Sequence, residues 1–244
     1  MHPAIIIASS IEALQITAAE RMAGVLTQAV SRRGRALVAL SGGTLPPGVF
    51  RYLTTEPLRS QIPWHALSIV WADERLVSFT DPASNYTLTR QTLLDHVPIP
   101  SAQVFPVATY YDGPQAAVRY QDQLEVLLSL HNERLDLVLL GMGADGHTAS
   151  LFPTFPQLSA PPTQLVAFVE HAPKPPPQRV TLTAHTLNLA RETIFLVAGS
   201  DKAPKVHTAL HGLGDPQHNP TQLIRPPNAQ ITWMLDTAAA ARLG

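Results

Sequence analysis

The sequence predicts an α/β fold: a single three-layer domain with a mainly parallel, Rossmann-like sheet flanked by helices. Short apolar segments such as Arg35–Leu40 and Leu135–Leu140 alternate with longer segments of helical periodicity. Strands that are apolar on both sides are typical of parallel sheets covered by helices on both faces. The 244 residues, 45% of them hydrophobic, suffice for one sizeable core, so residues 1–244 are expected to form one domain.

The first predicted elements are a strand at Ala4–Ala8 and a long helix after it. Ser10 can cap this helix, apolar residues recur at helical spacing from Ile11 to Val30, and Gly34 ends it. Further strands are predicted at Arg35–Leu40, Leu67–Trp71, Leu135–Leu140, Val180–Thr183, Ile194–Ala198 and Ile231–Leu235. Further helices are predicted at Tyr86–Asp95, Ala116–Leu130 and the Ala-rich Asp236–Leu243, with rigid loops at Pro153–Pro162 and Pro173–Pro177.

Composition restricts the partners. Lys and Arg total 17 and Asp and Glu 18, so a net charge of -1 gives no reason to expect nucleic acid or an anionic membrane as a partner. The absence of cysteine excludes disulfides, thiolate nucleophiles and thiolate-bound zinc, and favours the cytoplasm. The opening MHPAIIIASS has no cationic segment and too short an apolar run for a signal peptide or membrane span. We therefore expect a cytoplasmic protein with a small-molecule ligand; the oligomeric state stays open, with a monomer preferred.

Polar or glycine-rich clusters follow four of the predicted strands. They begin at Ser41, Asp73, Gly141 and Gly199. Ligands of open α/β sheets bind at the carboxyl ends of the strands, so the clusters predict one shared pocket. In the first cluster, Ser41–Thr44, glycines and the start of a helix at Pro46 or Pro47 can bind an anion. The same pattern also fits an ordinary turn, and no Lys-Ser/Thr follows to make a nucleotide P-loop.

The segment Gly141–Gly146 matches G-x-G-x-x-G after a strand, but the match does not favour a dinucleotide site. Asp145 would repel a pyrophosphate and Pro153 would cut the required helix short. Asp145 and His147 instead suit acid–base catalysis, because a carboxylate can orient an imidazole that takes a proton from water. A structural histidine is the alternative.

Two further sets of basic residues are candidate ligand sites. Lys202 follows Gly199 at a strand end, where it can bind an anion or simply be solvated. His207 and His211 are spaced to share a metal ion, but no third ligand is evident, which favours an exposed helix face.

Several ordered motifs resemble the 6-phosphogluconolactonase family, within the wider sugar-phosphate isomerase/lactonase superfamily. The sharpest is LDLVLLGMGADGHTASLFP, joined by LSGGT, WADERLVSFTDPASNY, KPPPQRVTLT, VAGSDKA and the ending WMLDTAAAARL. Together they cover nearly the whole chain. The resemblance implies hydrolysis of 6-phospho-D-glucono-1,5-lactone to 6-phosphogluconate in the oxidative pentose phosphate pathway, without a cofactor or metal.

The resemblance also implies roles for individual residues. His147 would be the general base that activates water, and Asp145 would orient the His147 imidazole. The phosphate would lie among Arg179, Lys202 and the turn formed by Ser41, Gly42, Gly43 and Thr44, with Arg75 as a further cation. Two departures from the family pattern are Ala144, where a proline is usual, and Pro220–Leu223, where Leu-Pro-Ala is usual.

Three alternatives stay open. Glucosamine-6-phosphate deaminase/isomerase shares the fold and the Asp-Gly-His loop, although it typically continues with an Asn-Glu-Pro segment where this chain has Thr148–Pro153. A non-catalytic sugar-phosphate sensor would bind 6-phosphogluconate without turnover. A dinucleotide-binding module would bind NAD(P).

Overall fold

The main sheet of the protein, seen in a computed structural model that describes residues 3–243, has six parallel strands. The strands of the chain are β1 (Ala4–Ala8), β2 (Ala36–Leu40), β3 (Leu67–Trp71), β4 (Asp73–Arg75), β5 (Leu137–Leu140), β6 (Val166–Val169), β7 (Arg179–Leu182), β8 (Glu192–Val197) and β9 (Gln230–Asp236). The six lie in the order β1-β9-β8-β5-β2-β3, and every neighbouring pair is parallel. The predicted α/β fold class is therefore confirmed.

Helices cover both faces of this sheet. They are α1 (Ile11–Arg33), α2 (Pro46–Leu53), α3 (Leu58–Gln61), α4 (Asn85–Thr92), α5 (Gly113–Leu130), α6 (Ala184–Leu187) and α7 (Ala203–His211). Successive residues of β5 alternate between two cores: Leu137 and Leu139 pack with α1, whereas Val138 and Leu140 pack with α5. Within residues 3–243, no helix is long and apolar enough to cross a membrane.

The helix ends follow the local chemistry of the sequence. Ser10 caps α1 by accepting a hydrogen bond from the Ala13 N–H, and Gly34 ends it with φ 75°. The helix α5 begins at Gly113, three residues before the predicted Ala116. Asp112 caps it, and proline is tolerated in a first turn because the N–H groups there have no helical partner.

A second, three-stranded sheet is a feature that the sequence analysis did not predict. Its order is β4-β7-β6 and its pairs are antiparallel. The predicted strand at Val180–Thr183 is present as β7 but belongs to this sheet. Asp73–Arg75, taken only as a polar cluster, is the edge strand β4. Three-residue strands carry too little periodicity to be recognised in a sequence.

The prediction of a helix at Asp236–Leu243 is wrong, because the chain forms successive turns after β9. The Asp236 carboxylate accepts hydrogen bonds from the N–H groups of Gly199 and Ala239. This ties the segment to the end of β8. Forming the first turn of a helix is unfavourable, and a segment of eight residues adds few further helical hydrogen bonds to offset that cost. The helical preference of its alanines is therefore not enough to make it a helix.

The carboxylate of Glu74 joins β4 to α4. It is 1% exposed and accepts hydrogen bonds from the Arg75, Asn85 and Tyr86 N–H groups, each at 2.7 Å, and from the Ser84 hydroxyl at 3.1 Å. Burial raises the pKa of Glu74, against the lowering effect of these backbone hydrogen bonds. The carboxylate thus satisfies the free N–H groups that begin α4.

Replacing Glu74 by Gln is expected to lower the free energy of unfolding by about 2–4 kcal/mol, because the amide NH2 would face buried donors and leave them unpaired. Urea unfolding at fixed pH measures this loss. Glu20→Gln, on the exposed face of α1, is the control and should change stability little. Equal stabilities of the two variants would contradict the role given to Glu74.

Candidate active site

A cleft of about 290 Å³ lies at the carboxyl ends of the central strands. The neighbours of β2 in the sheet are β3 on one side and β5 on the other. The chain goes from β2 to β3 and only later to β5, so the strand order reverses beside β2, as it does at the ligand sites of open α/β sheets. All predicted site residues except Asp145 line it: Ser41, Gly42, Gly43, Thr44, Arg75, His147, Arg179 and Lys202. A larger cavity of about 440 Å³ lies beside Trp233, but Arg225 is the only charged residue among the described residues that line it.

His147 and Asp145 form a close pair at this cleft. The distance from His147 Nδ1 to Asp145 Oδ1 is 2.5 Å, and the imidazole packs on the Phe152 ring with centroids 4.6 Å apart. Within residues 3–243, Nε2 of His147 has no hydrogen-bond partner. Burial by itself raises the pKa of Asp145, but the hydrogen bond and charge of His147, with a smaller effect of Lys174, outweigh it and hold that pKa well below its usual range. The arrangement suits an imidazole that accepts a proton at Nε2.

Gly143 makes room for this pair. A Cβ atom on Gly143 would lie 2.1 Å from His147 Nδ1 and 2.4 Å from Asp145 Oδ1. The loop is closed by hydrogen bonds from the Gly143 N–H to the His147 carbonyl and from the Gly146 N–H to the Gly143 carbonyl. Turns rather than a helix follow Gly146, so the structure lacks the helix that a dinucleotide fingerprint requires.

The turn Ser41–Thr44 presents free donors to the cleft. The N–H groups of Gly42, Gly43 and Thr44 donate to no acceptor within residues 3–243, and α2 begins at Pro46 as predicted. The Ser41 hydroxyl is buried and also lacks a partner in that part of the chain. Such a set of N–H groups ahead of a helix can bind an anion.

The three predicted cationic side chains differ in how many of their donor groups are already paired within the protein. Arg75 donates from one Nη to the Ala83 carbonyl, while its buried Nε has no partner within the described residues. Arg179 is buried and donates to the Pro176 and Lys174 carbonyls, so part of its donor set is already used. Lys202 is paired with Asp201 at 2.5 Å.

These groups are connected by Asp73, which the sequence places only at the start of a polar cluster, and by Asn85, which was not among the predicted site residues. The Asp73 carboxylate lines the cleft, accepts the Ser150 hydroxyl at 2.7 Å and lies 3.8 Å from an Arg179 Nη. Asn85 donates to Asp73 from the start of α4. Asp73 and Asn85 stand within the WADERLVSFTDPASNY motif, but only the structure shows that both line the cleft.

His207 and His211 lie on an exposed face of α7, with ring centroids 5.6 Å apart. No third histidine, aspartate or glutamate in residues 3–243 joins them to form a metal-binding group.

The family is identified by sequence comparison. The family described as glucosamine-6-phosphate isomerases/6-phosphogluconolactonase matches residues 9–233. The chain belongs to this family.

Within the family, named 6-phosphogluconolactonases resemble the chain over most of its length. The protein from Mycobacterium tuberculosis is 38% identical over 239 residues, covering 94% of each chain. That from Synechocystis is 36% identical over 222 residues, covering 89% of each. The solved 6-phosphogluconolactonase of Trypanosoma brucei superposes with a TM-score of 0.84 at 26% identity, covering 99% of both chains.

Removing the imidazole should raise the pKa of Asp145. In His147→Leu, burial would act on the carboxylate without the opposing hydrogen bond and charge. A titration followed by ¹³C NMR of the aspartate carboxyl carbons measures this. Asp215, whose pKa is lowered by its hydrogen bond to His218, is an internal control and should titrate unchanged. An unchanged Asp145 titration would show that the pair is not formed in solution.

Proposed function

We propose that the protein hydrolyses 6-phospho-D-glucono-1,5-lactone to 6-phosphogluconate, with His147 as the general base. The observation that carries this proposal is the His147–Asp145 pair, whose imidazole lines a cleft that three cationic side chains also line. The close similarity to named 6-phosphogluconolactonases supports the substrate. The proposal includes the cytoplasm as the location.

The pair suits a simple ester hydrolysis. With the Asp145 carboxylate accepting a hydrogen bond from Nδ1–H, Nε2 of His147 carries the lone pair and takes a proton from water as the water oxygen attacks the lactone carbonyl. The tetrahedral intermediate then collapses, the bond to the ring oxygen breaks, and the imidazolium returns a proton to that oxygen. The negative carboxylate favours the imidazolium in both steps. No change of oxidation state occurs, so the reaction needs no redox cofactor.

Phosphate binding supplies the orientation. The N–H groups of the Ser41–Thr44 turn together with Arg75, Arg179 and Lys202 form a set of donors that matches a dianionic phosphate. Arg75 has the more available guanidinium, since Arg179 already donates to two carbonyl groups, and Lys202 would share its ammonium group between the phosphate and Asp201. An anchored phosphate would hold the lactone carbonyl near His147 and thereby lower the entropic barrier.

His147→Ala is expected to lower kcat about 10²- to 10⁴-fold, the usual contribution of a general base, with affinity for 6-phosphogluconate close to wild type. The measurement is lactone hydrolysis on freshly generated substrate, corrected for the spontaneous reaction, with product binding by calorimetry. His171→Ala, a side chain 84% exposed, is the control and should remain fully active. A near-normal kcat of His147→Ala would overturn the assignment.

The same preparation distinguishes the other functions. Ammonia release from glucosamine 6-phosphate would identify a deaminase. Binding of 6-phosphogluconate by a wild-type protein that hydrolyses no lactone would identify a sensor.

Removing a side chain that binds the phosphate should reduce the preference for the phosphorylated lactone over plain gluconolactone. We expect Arg75→Gln and Lys202→Gln to lower kcat/KM for it about 10- to 100-fold, while the slow rate on plain gluconolactone persists. Arg179→Lys should lose part of the preference, because an ammonium group cannot reproduce a bidentate contact.

The control for this comparison is Lys205→Gln. The Lys205 ammonium group donates to the His218 carbonyl and does not line the cleft. This variant should keep the wild-type preference. If the preference survives in all three cleft variants, the phosphate is bound elsewhere.

A further inference from the structure

Asn85 is a cleft residue with no role in the chemistry above. It lies at the first position of α4 and is 1% exposed. Its Nδ2 donates to the Asp73 carbonyl at 2.8 Å and approaches the Asp73 carboxylate at 3.3 Å. Both of these partners are acceptors, so they fix the orientation of the amide, with nitrogen toward Asp73 and oxygen away from it.

The oxygen of that amide is buried without a donor. Within the described residues nothing donates to Asn85 Oδ1, and the atom packs against Gly42, where a Cβ would lie only 1.8 Å away. A buried acceptor without a partner is destabilising, and such atoms in folded proteins call for an explanation. Here the explanation lies in the cleft, because both Asn85 and Gly42 line it.

The chemistry of an amide oxygen limits its partner. It can only accept, and a phosphate monoester at neutral pH offers almost no proton to donate. Hydroxyl groups do. The Gly42–Thr44 N–H groups form no hydrogen bonds within residues 3–243, so a hydroxyl that reaches Asn85 Oδ1 beside Gly42 need not break a backbone hydrogen bond of these residues.

We propose that Asn85 is a specificity-determining residue whose side-chain oxygen accepts a hydrogen bond from a ring hydroxyl of the bound sugar lactone. The inference rests on the proposed function and extends it to the polyol part of the substrate. Asn85 then selects the hydroxylated ring, while Arg75, Lys202 and the turn select the phosphate.

The test pairs variants with substrates that lack single hydroxyls. The 6-phosphogluconolactone and its 2-, 3- and 4-deoxy forms are compared on wild type and Asn85→Ala. For the parent lactone, Asn85→Ala should lower kcat/KM about 10- to 100-fold. For the wild type, removing one particular hydroxyl from the lactone should lower kcat/KM by a similar factor. For Asn85→Ala the same deoxy lactone should have almost the same kcat/KM as the parent, because the variant already lacks that hydrogen bond.

Each ratio compares two substrates on one preparation, so it does not depend on the fraction of folded enzyme. Asn85→Ser, a smaller change at the start of α4, provides a second variant. Asn188→Ala is the control: its amide nitrogen donates to the Leu223 carbonyl, its oxygen accepts from the Arg225 N–H, and it does not line the cleft, so this variant should keep the wild-type ratios.

A loss of the same factor on all four lactones would overturn the inference and leave Asn85 a structural residue or a water ligand. If wild type hydrolyses none of them, the proposed function fails by itself. The same pairing is then measured with dissociation constants of 6-phosphogluconate and its deoxy forms, where equal losses again overturn the role of Asn85.

Discussion

Two adjacent buried carboxylates, Asp73 and Glu74, are the constraint on which the arrangement of the cleft depends. A carboxylate removed from water must be surrounded by donors, or its desolvation destabilises the fold. Glu74 takes its donors from the start of α4. Asp73 takes the Ser150 hydroxyl from the loop after His147 and faces Arg179 on β7. Meeting these demands fixes β4, α4, β7 and the Asp-Gly-His loop relative to one another.

The parallel sheet brings the remaining groups to the same place. The Ser41–Thr44 turn follows β2, His147 follows β5 and Lys202 follows β8, and the three strands lie side by side in the sheet. Parallel strands end at a common edge, so residues separated by more than a hundred positions in sequence become neighbours. The antiparallel sheet adds Arg75 and Arg179 from the adjoining side, at paired positions of β4 and β7.

Missing side chains matter in this cleft as much as the polar groups present. Gly143 leaves the space in which the His147–Asp145 pair forms, and Gly42 leaves the space that the Asn85 amide occupies. In both places a methyl group would lie about two ångströms from a polar side-chain atom. These two glycines therefore allow close packing of polar side chains at the cleft. In neither position is the backbone in the left-handed region.

The sequence by itself determined the α/β class, the long capped helix α1, the six strands of the main sheet and the polar clusters at their ends. These features follow from local periodicity, capping residues and the rule that parallel strands share a ligand edge. It predicted neither the second sheet nor the burial of Asp73 and Asn85, and it wrongly predicted a helix at Asp236–Leu243. Those outcomes depend on hydrogen bonds between distant segments, such as those from the Gly199 N–H to Asp236 and from the Ser150 hydroxyl to Asp73. Only the tertiary structure could decide them, because a buried polar group takes whichever partner the packed chain brings to it.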